Sequence, residues 1–389
     1  MAVVDIIDGC LPQELKIEIL LRLPVKSLVN FKLVCKSWNS LISSPDFIKF
    51  HTHNSKNNPP ITLLYNYNLQ VLNSVSLRKR DDNLNPTVLP VNPPLHDYVL
   101  KGHLIGSCDG LICTYRHLGL EQTCIYISNP LTKETKEIST PYHIPPGRGC
   151  LNIKSVSWFG FVPSINDYMI WLVIDNPIPK PIVHVYSMRD DKWRKLDTSA
   201  FKIIGLMLWG TNAVVKNETL YCWFGTFYKD FMVKYDLVQD IMEVVPISLN
   251  DKQGLIWYNE PIIGILQDSS VCICKVDPFH MMDVWKLDQY SNSNSWNKLF
   301  SLNVATSSPL RSRSRFYFLL GFTSSGGILV RSSSSDCYPI VDLTKVTNEL
   351  LLIDPNQNSH SPMQLGRIEN VLYMLDYVES LVSPFSLLF

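Results

Sequence analysis

Cys272 and Cys274 stand two residues apart in a run of strand-forming residues, so both thiols point to one face, where a zinc site could begin. Zinc usually needs a C-x₂₋₄-C pair answered by a second pair, and the chain has neither. The two thiols therefore read as small apolar groups of a core. The nine histidines are isolated from one another and from acid partners in the sequence, so their spacing assembles no triad. No G-x-x-x-x-G-K-[ST] phosphate loop, H-E-x-x-H helix or G-x-S-x-G elbow occurs. These patterns call for no catalytic residue, no metal and no cofactor. What remains is binding chemistry. Arg311, Arg313 and Arg315 alternate with serines. They either grip an acidic or phosphorylated segment of a target through bidentate guanidinium contacts or form a solvated loop. Tyr142 and Arg148 (in YHIPPGR) and Phe227 and Tyr228 (in FGTFYKD) are placed between strands. They suit target-binding anchors on loops and packing between sheets equally well.

The chain that must position these groups has 389 residues, too many for one ordinary core, so two domains or a repeat-built body are expected. Hydrophobic residues make up 46% and charged ones 18%, the balance of a folded chain with little disorder. Thirty-five basic and 35 acidic residues cancel, which leaves no electrostatic footprint for nucleic acid and no polybasic patch for a membrane. The first ten residues, MAVVDIIDGC, lack a basic segment ahead of an apolar run, and no stretch of about 18 apolar residues follows. Neither a signal peptide nor a membrane span is expected, and the ten scattered cysteines read as free thiols of a cytoplasmic or nuclear protein. The sequon Asn217-Glu218-Thr219 then carries no glycan.

Residues 11–50 carry a helical period. Pro12 suits the start of a helix, and Leu15, Ile19, Leu20 and Leu23 follow at helical spacing until Pro24 stops the run. Leu28, Phe31, Cys35, Trp38 and Ile42 then predict one amphipathic helix over 28–42. Ser44-Pro45-Asp46 opens a third, short turn anchored by Phe47. Three such helices cannot bury this aliphatic surface among themselves, so the remaining chain or a partner must cover it. After His53 the polar, proline-rich stretch 54–60 reads as a linker.

Beyond residue 60 the period changes to short strands separated by Asn, Asp, Ser, Gly and Pro. One unit recurs: an apolar strand, a polar turn and a second strand, at 125–138, 183–197, 232–247, 282–302 and 339–353. Centred on Asn129, Ser187, Asp236, Leu287 and Asp342, the repeats lie 58, 49, 51 and 55 residues apart. A second unit, a turn followed by an apolar strand, falls between them in GSCDGLICTY (106–115), AVVKNETLYCWFG (213–225), ILQDSSVCICKVD (265–277) and FTSSGGILVRS (322–332). A period of about 50 residues with roughly four strands is that of a propeller blade, which buries its faces only against its neighbours. The fold class expected is α+β by domain: a small N-terminal helical module (8–53), a linker (54–60) and an all-β, propeller-like repeat domain (61–389).

The order Leu-Pro, aliphatic helix, Leu-Pro-Val-Lys-Ser-Leu and Cys-Lys-x-Trp closely resembles the F-box. The repeats, with GSCDGLIC at 106–113 and YMLDYVESLVSP at 373–384, resemble the kelch-like F-box-associated domain of plant F-box proteins, although apart from Gly326-Gly327 the paired kelch glycines are missing. The resemblance implies a non-catalytic substrate receptor of a Skp–cullin–F-box ubiquitin ligase. Its partners would be a Skp-type adaptor, a cullin through that adaptor, and a target protein on the β domain. Leu11, Pro12, Leu15, Leu20, Leu23, Pro24, Val25, Leu28, Cys35 and Trp38 would form or support the adaptor-binding surface. A self-incompatibility receptor for a ribonuclease, or a binding protein outside any ligase, are the alternatives.

Overall fold

The computed structural model describes residues 12–55, 61–66, 71–76, 87–90, 103–118, 122–143, 153–174, 182–198, 209–225, 230–247, 261–277, 280–288, 295–304, 316–322, 327–333, 348–353, 363–368 and 371–385. The chain divides into two compact units. One gathers Met1–Ile61, Asn92–Pro146 and Asp376–Phe389, and the other Thr62–Val91 and Gly147–Leu375.

The first unit begins with helices α1 (Gln13–Leu21), α2 (Val25–Phe31), α3 (Lys36–Ile42) and α4 (Pro45–Ser55). The single helix expected over 28–42 is therefore two. The amides of Leu33 and Val34 bond to the carbonyls of Asn30 and Phe31 at 3.1 Å each, tightening the end of α2, and Cys35 is fully extended (φ −158°, ψ 166°). The break lets the rings of Phe31 and Trp38 meet edge to face, centroids 5.2 Å apart. On one straight helix residues seven apart would be separated by about 10 Å along the axis. The third element is longer than expected, an 11-residue helix. Ser44 closes the turn before it: its hydroxyl donates to Leu41 O at 2.7 Å and lies 3.4 Å from the amide of Phe47.

The same unit holds an antiparallel sheet of β4 (His103–Cys108), β5 (Leu111–Leu118), β6 (Gln122–Asn129) and β7 (Glu134–His143), paired in that order. In the second unit, β8 (Ile153–Val162), β9 (Asp167–Ile174), β10 (Ile182–Ser187) and β11 (Lys192–Lys195) repeat that order. So do β12 (Trp209–Lys216), β13 (Thr219–Gly225), β14 (Asp230–Asp236) and β15 (Met242–Ile247). The next sheet is β16 (Ile262–Ile265), β17 (Val271–Val276), β18 (Met281–Leu287) and β19 (Trp296–Asn303). Another is β20 (Phe316–Phe322), β21 (Ile328–Ser333), β22 (Asn348–Ile353) and β23 (Met363–Ile368). The sheet of β1 (Ile61–Asn66), β2 (Val71–Ser76) and β3 (Thr87–Pro90) is completed by β24 (Val371–Tyr377), which takes the first place that β4, β8, β12, β16 and β20 take in theirs.

In the second unit the first strands β8, β12, β16 and β20 lie side by side, and hydrophobic cores fill the spaces between sheets, as between propeller blades. Side chains alternate between two cores. Leu220, Cys222 and Phe224 of β13 join Trp171, Val183 and Val185, while Trp223 joins Val271 and Ile273 of β17. Cys272 and Cys274 take the other face of β17, packed with Val276, Val284 and Val330, and burial pushes both thiols up. That two-sided burial is why runs such as LYCWF and VCICKV are continuously apolar.

In three of the repeats seen in the sequence the unit is a capped hairpin turn. Asn129, Ser187 and Asp236 each end the third strand of a sheet, and their side-chain oxygens accept from amides two or three residues on. Four residues after each cap, Lys133, Asp191 and Asp240 adopt positive φ of 60°, 51° and 61°. The second repeat is a tight turn between first and second strands: Asp109-Gly110 and Asn217-Glu218 have φ of 48°, 78°, 48° and 57°. Of the fifth hairpin expected, 339–353, only residues 348–353 are described. Its strand β22 pairs with β21 and β23, and Asp342 lies outside the described residues.

Two predictions follow from this packing. A Cβ on Gly264 would run into the ring of Phe322 from the neighbouring sheet. Gly264→Ala should cost about 1–3 kcal/mol by overpacking. In combination with Phe322→Ala that cost should shrink, and additive denaturation values would rule the contact out. His184, buried on β10 opposite Lys195, is held down to about 4, first by desolvation and then by that ammonium. Between about 4 and the ordinary value near 6.5 the unfolded chain binds a proton that the folded chain refuses. Stability should therefore fall as pH is lowered through this window and stay complete above it. Thermal midpoints of His184→Phe should show a flatter decline there.

Candidate docking site

Among the described residues most large apolar side chains are covered, and five of the nine well-exposed ones, Leu15, Ile19, Leu33, Val34 and Phe50, lie in the helical module. Leu15 and Ile19, one turn apart on α1, are 47% and 51% exposed, whereas the adjacent Leu20 is buried. The turn between α2 and α3 presents Leu33 at 87% and Val34 at 44%. Large aliphatic groups left exposed on so small a module are candidate interaction positions. Covering Leu33 would yield most of the ~1.5–3 kcal/mol of full burial, and covering each of the half-exposed others about half of that.

Beneath this surface the helices hold one another. Leu20, Val25, Leu28, Ile42, Phe47 and Ile48 are buried. The His51 Nε2–H of α4 donates to the carbonyl of Leu23 at 2.9 Å, while Nδ1 lies 3.3 Å from the Ser55 hydroxyl. A carbonyl can only accept, so this contact fixes the tautomer. The His51 ring also stacks over Phe47 at 6.1 Å.

The expected adaptor-binding residues thus divide. Pro12 and Pro24 are exposed at the starts of α1 and α2, and Leu15 faces outward. Leu20, Val25 and Leu28 belong to the interior and support the surface from below. Leu23 and Trp38 are half-buried, and so is Cys35, whose Sγ lies 3.1 Å from Ser37 Oγ. Leu11 lies outside the described residues. Sequence reasoning passed over Leu33 and Val34, because a continuous helix over 28–42 leaves them off its apolar seam. Two neighbouring aliphatic residues off a seam were themselves the available signal.

For target binding, Tyr142 stands in β7, while Arg148, Phe227, Tyr228, Arg311, Arg313 and Arg315 lie outside the described residues. Phe224 is a core residue between two sheets. Among the described residues no group of three or more His, Cys, Asp or Glu side chains could hold a metal ion, and no helix is long and apolar enough to cross a membrane.

Comparison with known families matches residues 9–50 to the F-box domain and residues 61–384 to the F-box associated beta propeller domain. Curated relatives carry the F-box in their names. An Arabidopsis thaliana F-box/kelch-repeat protein is 28% identical over 85% of this chain and 90% of its own length. The Arabidopsis thaliana F-box protein CPR1 is 23% identical over 75% of this chain and 73% of its own.

Replacing His51 by Phe keeps the ring stack and strands the part-buried carbonyl of Leu23. The expected loss is about 1–3 kcal/mol in the helical module. Faster amide exchange in residues 13–55, with residues 209–247 unchanged, would report it.

Proposed function

The chain belongs to the F-box-associated β-propeller family, with an F-box ahead of the propeller, and we propose that it is the substrate-recognition subunit of a Skp–cullin–F-box ubiquitin ligase. One observation supports this most directly: Leu15, Ile19, Leu33 and Val34 are exposed on a module whose own interior is already filled. In this role the helices bind a Skp-type adaptor, which joins a cullin, and the β domain binds a target protein. Pro12, Leu15, Pro24 and Cys35 contribute at or beside the adaptor, and Leu20, Leu23, Val25, Leu28 and Trp38 hold the helices that present it.

The mechanism is tethering. Bringing a lysine of the target beside a ubiquitin-loaded enzyme raises their effective concentration, so no residue of this chain need touch the reacting atoms. Segments between strands are the natural place for target contacts, and Tyr142 near the end of β7, with Arg148, Phe227, Tyr228 and the arginines at 311, 313 and 315, remain the candidates. The setting is the cytoplasm or nucleus, where such ligases meet their targets.

Aspartate at both Leu33 and Val34 places two charges where an apolar partner must dock, and neither position supports the module's interior. Pull-down of a Skp-type adaptor should fall at least about tenfold, with unchanged thermal unfolding of the β domain. Capture at the original level would refute adaptor docking through this surface. Affinity capture from cytoplasmic and nuclear fractions, with proteasomes inhibited, should recover a cullin with the wild-type chain. Recovery of a β-domain partner without one would place the protein outside the ligase.

A further inference from the structure

Asn129 departs from its counterparts in the repeat. Ser187 and Asp236 cap their turns with an oxygen, and Asn129 does the same through Oδ1, which accepts from the amides of Leu131 at 2.9 Å and Thr132 at 3.3 Å. Its amide nitrogen is then left with two hydrogens, which neither a carboxylate nor a single hydroxyl could supply. Both go to the C-terminal segment: Nδ2 donates to Ser380 O at 3.0 Å and to Val382 O at 2.8 Å, and Asn129 is wholly buried there.

The segment that receives them follows β24. Ser380, Leu381 and Val382 are buried, although the chain has left strand geometry. Ser107 Oγ donates to the carbonyl of Asp376, and Ser380 Oγ donates to the carbonyl of Asp109. Gly110, at φ +78°, lies so close that a Cβ would stand 2.8 Å from the Ser380 amide nitrogen. GSCDG, the Asn-Pro turn and the C-terminal ESLVSP thus form a single seat.

Two opposite-charge interactions run between the helices and this seat. Glu379 is within electrostatic reach of Lys26 on α2, which opposes the upward push that burial gives its carboxyl. Lys32, just past α2, has its ammonium lowered by burial, and Glu134 of β7 offsets this. Helices, sheet and segment share one compact unit.

We propose that residues 376–384 are a strut that seats the docking helices on the sheet of β4–β7, so that the direction in which a bound adaptor is held is set by the C-terminal end of the chain. This rests on the docking role given above and adds what aims it. A chain lacking the strut would keep Leu15, Ile19, Leu33 and Val34 but lose their fixed placement on the sheet of β4–β7.

Hydrogen exchange on the full chain tests this with Asn129→Asp, which keeps the turn-capping oxygen and removes both donors. Residues 376–385 and residues 25–55 should lose protection together, by about tenfold or more. Residues 209–247 should keep theirs, and adaptor capture should persist. Loosening of 376–385 with unchanged exchange in 25–55 would overturn the strut. If residues 209–247 also lose protection, Lys26→Glu decides, since it turns an attraction toward Glu379 into a repulsion. Faster exchange in both 25–31 and 376–385 supports the strut, and unchanged exchange rejects it. Failure of the wild-type chain to capture an adaptor would sink the docking role while leaving the exchange result to stand.

Discussion

Along β13 the side chains alternate between two hydrophobic cores, Cys222 and Phe224 facing one neighbouring sheet and Trp223 the other. A single such sheet standing alone would leave both sets in water, at about 1.5–3 kcal/mol for each large side chain. Stacking on both sides is the remedy, and it must be repeated until the last sheet is covered. The short capped turns follow from the same need, because a hairpin that reverses within four or five residues keeps its strands in register for packing. So does the placing of β24 beside β1, which completes a sheet whose other strands lie at the start of the β domain.

The helical module obeys a different balance. Its interior is small and is held by specific contacts: the edge-to-face meeting of Phe31 and Trp38 and the reach of His51 to the carbonyl of Leu23. With its interior satisfied, it has aliphatic side chains to spare, and these face outward. The β body thus fills its cores between sheets, while the helical module fills a smaller one and still presents Leu15, Ile19, Leu33 and Val34 at its surface.

Much of this was legible beforehand where chemistry is local. Leu-Pro pairs end and begin helices because proline lacks an amide hydrogen, and the Asn129, Ser187 and Asp236 caps are visible because a turn of fixed length needs an acceptor at its first residue. Reading failed where a period had two solutions. The spacing of Leu28, Phe31, Cys35, Trp38 and Ile42 fits one helix, yet the chain breaks at Cys35, since two short helices let the aromatic rings meet. Leu15, Ile19 and Leu20 also look alike in the sequence, and only their neighbours decide which is covered.

By itself, the sequence determined the helical start, the β repeat of about 50 residues, the turn chemistry and the absence of familiar catalytic motifs, because each depends on residues within a few positions of one another. Tertiary structure alone decided which aliphatic groups remain on the surface, which core each strand face enters, and what Asn129 does with its second pair of hydrogen bonds. Ser380 and Val382 lie some 250 residues beyond Asn129 in the chain. No local pattern encodes a contact that forms only once the sheets have stacked and brought the end of the chain back to the first turn.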